Sequence, residues 1–332
     1  MIVQSFLIKA RLRRWGWIGL LLCTRLLTAQ PVELQIPVGP SFQFVAYGDT
    51  RFTDPTDTKA SNPIVRRTLV AAITTSKPSF ISIGGDITYV GADPNDWKVW
   101  DNETVAWREQ NIPVLPALGN HDLKGDETIA LANYFGRFPE LKNNRYYSVH
   151  AANTLMLVLD SSIDETAGEQ GAWLNSKLDS LPGDIDFVFI VLHHPPYTSS
   201  SDHKMYGGGH SARSPEENLA RMLEKRQSLM RARLVVFSGH IHNYERHAHG
   251  GVLYFVTGGG GAHAYPIERT ADDAFTSKSI NYHYLLVHVN GRVLDITMRR
   301  LEMKEGSATW TEPDEIQIEA PAAAAARVAT AK

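Results

Sequence analysis

The sequence predicts a mixed α/β protein, and three observations predict it. First, short runs rich in Val, Ile, Phe and Leu recur from Ser41 to Arg300, bounded by Gly, Pro and Asp. They are FQFVAY (42–47), FISI (80–83), VLPAL (114–118), TLMLVLD (154–160), DFVFIVL (186–192), LVVFS (234–238), LYFVT (253–257) and YLLVHV (284–289). Many are apolar throughout, as strands buried on both faces are. Second, helical patterns lie between them. Asn62-Pro63 reads as an N-cap with proline in the first turn, opening IVRRTLVAAITTS. Thr166 to Leu181 spaces Trp173, Leu174 and Leu178 on one face, and Ser214-Pro215-Glu216-Glu217 puts acidic residues in a first turn. Third, Asn290-Gly291 between two apolar runs is a hairpin signal. Strands alternating with helices, plus hairpins, make a mixed sheet structure.

Composition bounds the rest. The chain has 332 residues, 43% hydrophobic and 21% charged, with a net charge of -3. That is ordinary globular composition, and without a long basic run no nucleic-acid partner is expected. Residues 1–30 read as a secretory signal. Lys9, Arg11, Arg13 and Arg14 form a basic region, WGWIGLLLC (15–23) an apolar one, and LLTAQ offers cleavage near Ala29 or Gln30. The apolar run is too short to span a bilayer and Arg25 interrupts it, so no stable membrane span is expected in the mature chain. Such a signal implies export to a periplasmic or extracellular space. Cys23 is the only cysteine, so the processed protein has no disulfide. The main domain is expected over 41–300, with an extension over 301–332 whose low-complexity end, PAAAAARVATAK, frays.

The chemistry lies at the strand ends. FQFVAY leads to Gly48-Asp49, FISI to Gly84-Gly85-Asp86 and then Tyr89, and VLPAL to Gly119-Asn120-His121-Asp122. DFVFIVL leads to His193-His194-Pro195-Pro196-Tyr197, and LVVFS to Gly239-His240-Ile241-His242. Loops at strand ends are where α/β folds place ligands, and glycine there lets the backbone turn sharply. Carboxylate, amide oxygen and imidazole without thiolate suit Fe, Mn or Zn. One such motif is an ordinary turn or cap; five, each directly behind a strand, are a metal site with donors enough for two ions. The glycine run 258–261 lacks the Lys and Ser/Thr of a phosphate loop and is read as backbone crowding near the metals.

The series GD, GGDxxY, GNHD, HHPPY and GHIHNYER resembles the calcineurin-like metallophosphoesterase superfamily over residues 42–300. Within it, Tyr89 three residues after Asp86, and the extension of GHIH by Tyr244, Glu245 and Arg246, resemble purple acid phosphatases of a small form lacking the plant-type N-terminal domain. The resemblance implies a four-layer αββα sandwich. It implies a ferric ion held by Asp49, Asp86, Tyr89 and His242, and a divalent Fe, Zn or Mn held by Asp86, Asn120, His193 and His240, with Asp86 as the bridge. His193 takes the ligand place in His-x-Pro and His194 is its neighbour. His121, as an imidazolium, contacts the phosphate or protonates the leaving group, Asp122 orients it, and His203 is a substrate-facing histidine. Arg51 stands where many superfamily members carry a ligand histidine, which favours the tyrosinate form; it meets a substrate phosphate or is a solvated loop residue.

The implied activity is hydrolysis of small phosphomonoesters by attack of a metal-bound hydroxide. Two alternatives stand beside it: a phosphodiesterase or nucleotidase of the same superfamily, and an inactive metal-stabilised binding module. The natural substrate and oligomeric state are not legible in the sequence.

Overall fold

The computed structural model describes residues 31–200 and 210–322. The expected signal peptide (1–30), Cys23, His203 and nearly all of the low-complexity tail lie outside the described residues. Among the described residues the strands form two seven-stranded mixed sheets. The first runs in the order β1 (Glu33–Ile36), β5 (Tyr147–Ala151), β6 (Thr154–Val158), β7 (Phe187–Val191), β8 (Arg233–Ser238), β10 (Val252–Thr257) and β9 (Tyr244–His249). The second runs β13 (Ser307–Thr311), β12 (Val293–Lys304), β11 (Tyr282–Asn290), β2 (Ser41–Tyr47), β3 (Ile81–Ile83) and β4 (Val114–Pro116), with β14 (Glu315–Glu319) also on β12. The second sheet therefore continues beyond the 41–300 bounds: β12 ends at Lys304, and β13 and β14 pair with it.

The sheets face each other. Phe44 of β2 packs edge-on against Phe189 of β7 at 5.1 Å and Phe237 of β8 at 6.2 Å between ring centroids. Buried aromatic pairs of this kind add to the area term that holds the layers together. Helices cover the outer faces. α1 (Pro63–Ser76) lies on β11 and β12. On the other side, Leu174 and Leu178 of α5 (Gly168–Asp179) and Leu219 and Leu223 of α6 (Ser214–Gln227) share a core with Leu155, Val188 and Val236. The four-layer αββα expectation holds.

Local signals act as expected at several points. The Asn62 side chain accepts from the Ile64 and Val65 N–H groups, capping α1. Gly291 takes φ 54° in the β11–β12 hairpin. Three further helices, α2 (Pro94–Glu103), α3 (Val105–Glu109) and α4 (Glu127–Arg137), fill the connections after β3 and β4. The parallel trios β2-β3-β4 and β6-β7-β8 bring the carboxyl ends of five motif-bearing strands to one rim.

Candidate metal centre

Backbone conformation builds the site before side chains do. Asp49, Asp86 and His240 have φ of 59°, 54° and 71°, a left-handed region that costs non-glycine residues energy. Each comes directly after a glycine at which a Cβ cannot fit or barely fits. At Gly85 it would lie 2.7 Å from His193 Nδ1, and at Gly239 2.4 Å from Asp49 Oδ2. The run 258–261 is crowded in the same way: a Cβ on Gly258 would lie 2.8 Å from Asp49 Oδ2.

The donors form two connected groups. In the first, His193 Nδ1 donates to the Gly84 carbonyl (2.9 Å), which fixes the tautomer and frees Nε2. That Nε2 lies 3.0 Å from Asn120 Oδ1, 3.2 Å from His240 Nδ1 and 3.4 Å from Asp86 Oδ1. Such spacings approach the edge of a tetrahedron with metal–ligand bonds of about 2.0–2.2 Å, roughly 3.3–3.6 Å. In the second, His242 donates Nδ1–H to the His263 carbonyl (2.8 Å) and turns Nε2 toward Asp49 Oδ1 at 3.5 Å. Both of those atoms are buried with no hydrogen-bond partner among the described residues. A buried acceptor facing a buried imidazole nitrogen without a shared proton is costly, and a cation between them removes the cost. The residues fit a two-ion centre, with Asp86 in contact with the first group and gathered with Asp49 and His242 in the second.

Charge agrees. Burial pushes Asp49 up to about 7, with Asp86 adding to the rise. Burial acts on Asp86 too, but the neighbouring His193 and Arg51 charges hold it well below the usual carboxylate range. Arg51 bonds Asp86 Oδ2 through Nε (3.2 Å) and Nη2 (3.0 Å). It also lines the cavity over the site, so of its two expected settings the solvated loop residue is excluded.

Among the described residues, Asp49, Asp86, Asn120, His193, His240 and His242 come together, and Tyr89 and His121 line the cavity, with one correction of role. Asp122 does not orient the His121 ring. Its oxygens accept from the N–H groups of Ile87 (2.9 Å), Thr88 (3.2 Å) and Gly119 (2.9 Å), stapling the β3 loop to the β4 loop. The carbonyl of Tyr89 orients His121 instead, accepting from Nδ1 at 2.6 Å, while the Tyr89 ring stacks on the imidazole at 5.2 Å. Burial also pushes His121 down to about 4, against the pull of Asp86 and with help from Arg51 and Lys124, which works against the imidazolium form expected of it.

His194 is closer to the centre than a mere neighbour. One nitrogen from each of His193, His194 and His240 lies within 4.8 Å of the others, and His194 Nδ1 is 2.8 Å from Ser161 Oγ. A cavity of about 500 Å³ over the site is lined by Arg51, Tyr89, Asn120, His121, His240 and His242. Lys59, His210, His263 and Tyr265 line it too, beyond the residues the sequence pointed to. Only His210, stacked on His240 at 5.0 Å, had a signal: it closes the segment that carries His203.

Among the described residues no helix is long and apolar enough to cross a membrane. Comparison with known proteins agrees with the geometry. The model of the calcineurin-like phosphoesterase family matches residues 46–244. Purple acid phosphatase 21 of Arabidopsis thaliana is 31% identical over 179 residues, 49% of this chain and 37% of that protein. Phosphoenolpyruvate phosphatase of Allium cepa is 25% identical over 212 residues, 58% of this chain and 40% of that protein. The chain thus covers about two fifths or less of the length of these relatives. Among solved structures, purple acid phosphatase PPD1 from yellow lupin (Lupinus luteus) seeds matches 85% of this chain and 54% of its own, with a TM-score of 0.64 at 17% identity. GAP50, the anchor in the inner membrane complex of Plasmodium, matches 86% and 90%, with a TM-score of 0.56 at 16% identity. A sandwich with its donors gathered on one rim, and a family model spanning the motifs from β2 to the start of β9, together place this chain in the calcineurin-like phosphoesterase family.

Proposed function

We propose that the chain is an exported phosphatase that hydrolyses small phosphomonoesters at a two-ion centre of the purple acid phosphatase kind. The observation that carries it is the pair of partnerless buried atoms, Asp49 Oδ1 and His242 Nε2, facing each other in a group with Asp86, where His242 and Tyr89 also line the cavity. Asp49, Asp86, Tyr89 and His242 would hold a ferric ion; Asp86, Asn120, His193 and His240 a divalent Fe, Zn or Mn. When bound, the ions neutralise phosphate charge and lower the pKa of water.

The chain's own groups supply the rest. Arg51 and Lys59 bring positive charge to the cavity for a phosphate oxygen. The Tyr89 carbonyl holds one nitrogen of His121, so Nε2 is the atom left to meet the leaving group. That ring must first take up a proton, which the anionic substrate favours. Buried Asp122 keeps the two loops that carry Asp86 and Asn120 in register, a positioning role through the backbone. The first segment of chain is read as the export signal on its composition alone.

The test is colour and leaving group together. Iron-loaded protein should show a visible tyrosinate-to-iron band that Tyr89→Phe bleaches without unfolding, and it should cleave p-nitrophenyl phosphate far faster than its bis-ester. A colourless iron-loaded protein overturns the tyrosinate assignment, and preference for the bis-ester overturns the monoesterase reading.

A further inference from the structure

A second cluster of donors lies on the strand that comes after the metal motif. His247 and His249 alternate along β9 and so leave the same face of the strand. Asp272 comes to them from the loop before β11. Its Oδ2 lies 3.2 Å from His247 Nδ1 and 3.2 Å from His249 Nε2. All three donor atoms fall within 4.8 Å of one another.

Two readings compete for this geometry. Both contacts are within hydrogen-bond reach, though longer than the about 2.7–2.9 Å of a strong charge-assisted bond. The edge of a tetrahedral site with bonds of about 2.0–2.1 Å is roughly 3.3–3.4 Å, which both contacts approach. The surroundings are those of a ligand set. His247 is fully buried, and its other nitrogen, Nε2, lies 3.1 Å from Glu245 Oε2, the carboxylate behind an imidazole that orients metal-binding histidines. Glu245 is itself buried and fixed by Thr198 Oγ1 (2.8 Å) and the Ser199 N–H (2.5 Å). His249 is held by stacking on Tyr197 at 3.9 Å. On the open side, His249 and Asp272 keep 28% and 46% of their side chains exposed, leaving an approach for an ion and its water. Charge favours a cation as well. Glu245, Asp272 and Asp273 are set there against one guanidinium, Arg269, which pairs with Asp273.

We infer that His247, His249 and Asp272 form a separate divalent-metal site, of the two-imidazole, one-carboxylate type that zinc takes, with a fourth position open to water. The ion joins β9 to the 270–273 loop and, through Glu245 and Tyr197, to the chain segment leaving His193. Its role is structural, and it shares no donor with the strand-end centre.

The test is a zinc count on the full chain. Protein saturated with Zn(II), desalted and analysed by mass spectrometry of the metal should carry one zinc more per chain than His249→Gln or Asp272→Asn, each altered at a part-exposed residue. Circular dichroism checks that both variants fold, and both should keep their phosphomonoesterase activity. Excess zinc should raise the melting temperature of the parent beyond any rise in the variants. Equal zinc counts in the three proteins, or loss of the ion in only one variant, overturns the three-ligand site. Every strand-end ligand is kept in each protein, so the result is independent of whether the phosphatase reading stands.

Discussion

The two sheets meet at the centre with different chemistry. The second sheet offers oxygen donors: Asp49 after β2, Asp86 after β3 and Asn120 after β4. The first supplies nitrogen: His193 after β7, His240 and His242 after β8. The oxygen side is positioned mainly by backbone strain and by the Asp122 staple. The nitrogen side is aimed largely by carbonyls, Gly84 for His193 and His263 for His242. The halves also touch directly, since the His240 N–H donates to Asp49 Oδ2 at 2.9 Å. Neither sheet holds all of these donors, so the sandwich itself gathers the site.

This division can be broken from either side. The largest effect is expected on the oxygen side at Asp86, which belongs to both donor groups. Asp86→Ala should abolish turnover and cost about one ion in two, measured by metal analysis beside p-nitrophenyl phosphate hydrolysis; retained turnover with both ions bound would remove Asp86 as the bridge. Next comes the seam. Gly239→Ala places a Cβ 2.4 Å from Asp49 Oδ2 and 2.7 Å from the Gly84 carbonyl, so the sheets must shift apart locally. A loss of roughly 1–3 kcal/mol of stability, with weaker metal binding, should appear in denaturant unfolding. On the nitrogen side, His193→Ala should lose more metal than His194→Ala, because only His193 faces both Asp86 and Asn120; parity between the two would give His194 a ligand's place.

The smallest effect lies behind the first sheet. Burial and the neighbouring Glu216 push Glu165 up to about 9 from 4.5. A carboxyl raised in the fold favours the folded state in its protonated form, so its cost to stability grows as pH rises from about 4.5 toward 9. Glu165→Gln should therefore match the parent near pH 4.5 and gain on it steadily as pH rises toward 9. Parallel pH curves would show that Glu165 is not titrating as a buried acid.

The donors are legible because each sits directly behind an apolar strand, and strand ends of parallel strands share a rim. Asp122 is misleading because GNHD places it beside His121 in sequence, yet a turn at Gly119 aims successive side chains apart, and its carboxylate faces backbone 35 residues upstream. The burial that works against an imidazolium at His121 is hidden for a related reason: a motif does not show it. β9 escapes because YERHAH is polar along its length; it is a strand through pairing with β10. The helix α2 could have been found, for Asp93-Pro94 repeats the cap signal of Asn62-Pro63. Lys59 and Tyr265 carry no sequence signal, since each reaches the cavity from a long irregular loop.

The contact between the His240 backbone and Asp49 joins residues 191 apart in the chain. An unfolded chain cannot bring such partners together without a large closure entropy, so it has almost no affinity for what the folded rim binds. Binding is then coupled to folding as a whole: each tenfold excess of ligand over its dissociation constant adds about 1.4 kcal/mol to the unfolding free energy. Thermal midpoints of this protein should therefore move with metal and chelator concentration, and release of the ions should keep pace with the sheets coming apart.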